Sequence, residues 1–206
     1  YVIGLVGLLA LAGLVAGGVV YANSSRPKRP KSARTAAAVP PAAPSVACLP
    51  GDICVPFTSA NPKAVASETI LAECNRLALQ LDPRAVFLGA AFMDAVVDGF
   101  IDTSRTFARI SCSYALPDAS ISVTLATTGF TASKSPYLAS GAPFVGTACP
   151  LKRAWDVAFK GKEPPDPRAW ARLSYDARPE YLGAKWMVVT GKNMMTVDAT
   201  TCLVRE

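Results

Sequence analysis

Residues 108–126 read ARISCSYALPDASISVTLA. Ala108, Ile110, Cys112 and Tyr114 alternate with Arg109, Ser111 and Ser113. After Pro117-Asp118-Ala119, Ile121, Val123 and Leu125 alternate with Ser122, Thr124 and Ala126. Successive side chains of a strand point to opposite faces, so two period-2 runs around a turn predict a β-hairpin with one apolar face. A one-sided sheet must cover that face, and the segments on either side are read for what covers it.

Upstream, Asn61-Pro62 is a helix-opening pair, since Asn caps a helix and Pro is tolerated in its first turn. Ile70, Leu71, Cys74, Leu77, Ala78 and Leu81 then fall on one helical face. Asp82-Pro83 repeats the start signal, and Val86, Phe87, Leu88, Ala91, Phe92, Ala95 and Val96 are read as a second helix stopped at Gly99. Downstream, a Ser-, Gly- and Pro-rich loop is expected from about Thr128 to Ala148. A short helix is expected over Pro150–Lys160, ended by Gly161. Another is expected from Asp166-Pro167, with Trp170 and Leu173 turned inward. Trp186–Val189 and Met194–Val197 flank Gly191-Lys192-Asn193 as a closing hairpin.

This order predicts an α+β fold, with helices packed on one face of an antiparallel sheet. Strand–helix–strand alternation with Gly-rich turns is missing, which argues against a dinucleotide-binding fold.

Ahead of the domain, Val2–Tyr21 reads VIGLVGLLALAGLVAGGVVY, without one charged residue. At 1.5 Å per residue, such a run spans the roughly 30 Å hydrocarbon core. Val20-Tyr21-Ala22 resembles a signal-peptide cleavage site, but the run is longer than a signal core, so an uncleaved anchor over residues 1–23 is expected. The chain opens on Tyr rather than Met, and further residues are expected before it. Gly13 and Gly17 form a G-x-x-x-G pair that would let a second helix approach closely. Residues 24–47 form a Pro/Ala-rich basic linker, with Pro27, Pro30, Pro40, Pro41 and Pro44 favouring extended polyproline II. Residues 48–206 form the domain.

The chain has 206 residues and a net charge of +6, unevenly placed. Arg26, Lys28, Arg29, Lys31 and Arg34 stand in the linker. With those five set aside, 16 of the 21 basic residues face 15 acidic ones. A nearly neutral domain is not the electrostatic footprint of a nucleic-acid binder, and the basic strip beside the span is assigned to anionic lipid headgroups.

The chain has no histidine. That removes the commonest general base and metal ligand, and with them His-dependent triads. G-x-S-x-G, the P-loop, H-E-x-x-H and C-x-x-C-H are absent as well. Ser133-Lys134 is read as a loop pair rather than a dyad. Asp94, Asp98 and Asp102, four apart, would share a helical face, which is read as solvated. Met194-Met195 is read as hairpin core. Trp155, Trp170, Trp186, Tyr175 and Tyr181 concentrate in the last third, mostly as core. No catalytic residue, cofactor or metal is assigned.

Cys48, Cys54, Cys74, Cys112, Cys149 and Cys202 all lie outside the apolar head. An even number across one small domain indicates disulfides and an oxidising compartment. Cys48 and Cys54 flank a turn-forming Leu-Pro-Gly-Asp-Ile and are expected to pair. The other four are expected to staple helices to sheet. The basic strip, under the positive-inside rule, would place the domain in the cytoplasm. The cysteines argue for the extracytoplasmic side, and that orientation is adopted: a single-pass protein of the inner (cytoplasmic) membrane with a periplasmic domain.

The function expected is that of a non-enzymatic accessory subunit of a larger membrane complex, such as a respiratory, photosynthetic or envelope assembly. Its partners would be other membrane subunits and lipid; a small-molecule ligand is not expected. The alternative is a membrane-tethered module binding a small ligand or a cell-wall component. A solid core with a flat apolar outer surface would favour the first. A deep apolar pocket between helices and sheet would favour the second.

Overall fold

The computed structural model describes residues 48–106, 108–144, 147–160, 168–176 and 182–205. These form an α+β domain: a mostly meandering antiparallel sheet of ten strands with two helices on one face. The elements in chain order are β1 (Ile53–Val55), α1 (Ser67–Leu81), β2 (Val86–Val97), β3 (Phe100–Ile101), β4 (Arg109–Ala115), β5 (Ser120–Ala126) and β6 (Gly129–Ser135). There follow α2 (Leu151–Phe159), β7 (Arg168–Asp176), β8 (Gly183–Thr190), β9 (Asn193–Asp198) and β10 (Val204–Arg205). Across the sheet the order is β1-β6-β5-β4-β2-β7-β8-β9-β10, and β3 pairs with β2.

That order has a near-symmetry. A helix followed by strands that run outward from the centre occurs twice: α1 with β2, β4, β5 and β6, then α2 with β7, β8, β9 and β10. β2 and β7 meet antiparallel at the middle.

The hairpin of residues 109–126 is present as β4 and β5, with Cys112 opposite Val123. From that pair one registered row crosses the sheet: Ala132, Val123, Cys112, Ala90, Leu173, Trp186 and Val197. All seven are buried. α1 covers this face over β4–β6, and α2 covers it over β8 and β9. The neighbouring row on the other face is Thr131, Thr124, Ser111, Ala91, Arg172, Met187 and Thr196. That outer face is built mainly of small and hydroxyl side chains over β4–β6, as suits a sheet solvated on one side.

Several expectations are corrected. The second helix, over 86–96, is instead the twelve-residue strand β2. Pro83 disfavours a helical conformation for Asp82, which is extended and ends α1, its N–H donating to the Ala78 carbonyl. Asp82 Oδ1 then accepts from the Arg84 N–H, turning the chain into the sheet. Gly99 does not stop a helix. Asp98 and Gly99 both have positive φ and form the two-residue turn between Val97 and Phe100. α1 begins at Ser67, not at Asn61-Pro62, because Val65 is first drawn into a bridge with Ile101.

The expected loop from Thr128 contains β6, and the short helix expected to carry Trp170 is strand β7. Leu173 is turned inward as expected, whereas Trp170 is half-buried between the inward Ala169 and Ala171, on the outer face. The closing hairpin is found as β8 and β9. α2 ends at Phe159, with Lys160 in the left-handed region. Gly161 and Asp166-Pro167 lie outside the described residues.

Three disulfides join Cys48–Cys54, Cys74–Cys112 and Cys149–Cys202. The first closes the expected ring ahead of edge strand β1. The second staples α1 to β4. The third ties the entry of α2 to the turn after β9. Gly13, Gly17, Arg26, Lys28, Arg29, Lys31 and Arg34 lie outside the described residues, as do the anchor and the linker. Among the described residues no helix is long and apolar enough to cross a membrane.

Candidate functional site

α1 buries Ile70, Cys74, Leu77 and Ala78 against the sheet. Its neighbouring stripe, Glu68, Leu71, Ala72 and Asn75, has the i, i+3, i+4, i+7 spacing of one helical face. This second stripe walls a cavity of about 490 Å³. Ala85, Val86 and Phe87 at the start of β2, Tyr114 of β4 and Leu173 of β7 complete the sheet side. Phe144 and Thr147, from the segment joining β6 to α2, close the remaining side.

The cavity lies at the centre of the sheet because α1 covers β4–β6 and α2 covers β8 and β9. Neither helix covers all of the middle strands, and the chain between β6 and α2 crosses there instead. Phe144 N–H donates to the Phe87 carbonyl at 3.3 Å. The Phe144 ring lies 5.2 Å from Phe87 and 6.1 Å from Tyr175, and Phe87 lies 5.4 Å from Tyr114. Four aromatic rings thus run in series, and three of them, Tyr114, Phe87 and Phe144, line the cavity.

Tyr114 is fully buried, and its hydroxyl has no hydrogen-bond partner among the described residues. Burial pushes the phenol's pKa well above its ordinary value, so the group is a neutral donor. A buried hydroxyl left unpaired costs on the order of 1–3 kcal/mol, and this one has essentially no surface open to the cavity. Glu68 is the one charged residue among the described lining residues. Ser67 Oγ donates to its carboxylate at 2.9 Å and accepts the Leu151 N–H at 3.3 Å. That hydroxyl joins the first turn of α1 to the first turn of α2.

The residues expected from sequence to bear on chemistry fall elsewhere. Asp94 occupies a bulge of β2, Asp98 the β2–β3 turn, and Asp102 accepts from the N–H and hydroxyl of Ser104. They share no helical face. No cluster of three or more potential metal-ligating side chains occurs among the described residues. Ser133-Lys134 lies in β6 rather than a loop, and Lys134 Nζ is bound by Asp82 at 3.2 Å. Trp155 and Trp186 are core, and Trp186 Nε1–H donates to the Cys149 carbonyl at 2.8 Å. Met194 is exposed rather than core, and Met195 is half-buried. Tyr181 lies outside the described residues.

A second depression, of about 320 Å³, lies on the outer face and is lined by Gly89, Ala91, Ser111, Ser113, Trp170 and Arg172 among others. It contains no buried unpartnered side-chain atom.

The cavity behind α1 was not legible in the sequence, which assigned no ligand site. Its one sequence trace is Leu71, an apolar residue beside rather than on the Ile70–Cys74–Leu77 stripe. Compared with known proteins, the chain matches no family model, no curated protein and no solved structure.

Proposed function

We propose that this domain is an extracytoplasmic binding module for a small, largely apolar molecule, held at the inner membrane by the apolar segment Val2–Tyr21. The observation that carries the reading is the cavity between α1 and the sheet, walled by Leu71, Val86, Phe87, Phe144 and Leu173. Small-molecule sites are concave, mostly apolar and furnished with few polar groups. The outer face argues the same way, because its hydroxyl-rich rows over β4–β6 are not an apolar docking surface. Three disulfides support an oxidising compartment, and the strip Arg26–Arg34 would rest on anionic headgroups.

Gentle extraction of the full chain, followed by solvent extraction and mass spectrometry, tests the reading. A small molecule is expected in near-stoichiometric amount. Its loss is expected in Ala72→Trp, which fills the cavity from the α1 wall. Equal and negligible small-molecule content in both proteins would overturn the reading.

A second reading, an accessory subunit docked in a larger membrane assembly, is favoured by Tyr137 and Leu138, adjacent and 79% and 71% exposed. It predicts a stoichiometric membrane-protein partner in the same extraction. That partner would be lost in a Tyr137→Ser, Leu138→Ser variant and retained in Ala72→Trp.

A further inference from the structure

We infer that the depression along β2 on the outer face of the sheet binds an acidic saccharide, with a sugar ring laid on Trp170 and its carboxylate held by Arg172. This site lies on the opposite face from the cavity behind α1 and does not depend on it.

Side-chain length makes the trough. β2 turns Gly89 and Ala91 outward, between Ser111 and Ser113 of β4 on one side and Trp170 and Arg172 of β7 on the other. Two short positions between longer ones leave about 320 Å³. Ser113 and Arg172 are exposed, and Met93, 46% exposed, stands at one end, so a ligand reaches the trough from solvent.

The side chains suit a sugar. Trp170 is half-buried and lines the trough, and its Nε1–H donates to no atom among the described residues. The face of an indole is negative and attracts the polarised C–H groups of a pyranose. Ser111 and Ser113 continue across the sheet in two registered rows, Ser111–Thr124–Thr131 and Ser113–Ser122–Ser133. A hydroxyl donates and accepts, as the hydroxyls of a sugar do. Charge then selects an acid. Arg172 makes no ion pair or hydrogen bond among the described residues, and neither does the exposed Arg109 across β2, opposite Met93. No carboxylate lines the trough, and the outward positions of β4–β6 carry none. Asp94, in the bulge beyond Met93, is the nearest carboxylate along β2 and is not part of the lining. A guanidinium binds a carboxylate through two parallel hydrogen bonds, which a neutral sugar cannot offer.

The test uses the full chain, labelled with 15N, in a nonionic polyether detergent at pH 7 and low salt. The Trp170 indole resonance and the Gly89 and Ala91 amide resonances report any occupant. Trigalacturonate, its neutral counterpart galactotriose and the peptide triglutamate are titrated separately. Trigalacturonate is expected to bind about ten-fold more tightly than galactotriose. In Arg172→Gln the two sugars are expected to bind alike. In Trp170→Ala both are expected to weaken about five-fold, read at Gly89 and Ala91. Retained amide dispersion verifies the fold of each variant. Equal affinities for the acidic and the neutral sugar in the wild type would overturn the inference, as would resonances that none of the three ligands moves. Triglutamate binding as tightly as trigalacturonate would also overturn it, and would make the trough a site for acidic peptide.

Discussion

Asp198 ends β9, and its carboxylate gathers the turn that follows. The N–H groups of Thr200 and Thr201 donate to Oδ1 at 2.8 Å, and the Arg205 guanidinium donates to Oδ2. Partial burial raises the carboxyl pKa, but the Arg205 hydrogen bond and the two backbone donors outweigh it and hold it at about 2. The folded pKa therefore lies below the unfolded one. The stabilisation is fully present above about pH 4 and is lost as pH falls through about 2. Urea unfolding is expected to show this acid limb in the wild type. Arg205→Ala should flatten it and lower stability at pH 7 by about 1–2 kcal/mol. At Asp82 the Arg84 guanidinium, seconded by Lys134, likewise holds a carboxyl far below its usual range. These pairs lie outside the cavity lining, where Tyr114 is the side chain with a buried, unpartnered atom.

Among the elements, β2 decides the fold, and it is the element that apolar spacing misassigns. Val86–Val97 is a nearly continuous apolar run that pairs with β4 and β7 at the centre of the sheet. Such a run satisfies helical spacing as readily as strand spacing. Two features carried the contrary signal. A Cβ on Gly89 would stand 2.5 Å from the Leu173 carbonyl oxygen, so the neighbouring strand needs glycine there. Asp98-Gly99 is a tight hairpin turn with φ of +50° and +78°. Gly99 is also where α2 rests, since an added Cβ would meet Lys152 Cα and Trp155 Cβ at 2.8 Å. Gly99→Ala is expected to cost roughly 1–3 kcal/mol through the turn and the displaced helix. The denaturation midpoint should fall with an unchanged slope. An unchanged midpoint would mean that α2 does not pack where it is described.

For the whole molecule, the bridges follow the two halves. Cys74–Cys112 lies within the first helix-and-meander unit and Cys149–Cys202 within the second. Cys48–Cys54 closes a ring with a sequence separation of only 6, against 38 and 53 for the others. Chain entropy then orders their contributions, about 2 kcal/mol for the short ring and about 4 for each longer one. Paired Cys→Ala variants should lower stability in that order, read by urea denaturation. Mass spectrometry without reductant should find all six cysteines bridged, as the absence of a free thiol requires. The longer bridges leave the β2–β7 seam without a covalent tie, so hydrogen bonds and packing alone join the halves there.

The sequence by itself determined the α+β class, α1 as an amphipathic helix, the hairpins at β4–β5 and β8–β9, and a disulfide-bonded domain free of histidine chemistry. Each of these rests on short-range periodicity or on residue type, which the chain carries locally. Only the tertiary structure decided that 86–97 and 168–176 are strands, that β2 and β7 meet at the centre, and that a cavity lies beside α1. A run whose outer-face residues are as apolar as its inner ones loses its sequence alternation, so its neighbours rather than its own spacing settle its conformation. The cavity exists because two helices on one face leave the middle strands partly uncovered. Its lining comes from residues 68 to 173, and no local pattern links Glu68, Tyr114 and Leu173 before the chain is folded.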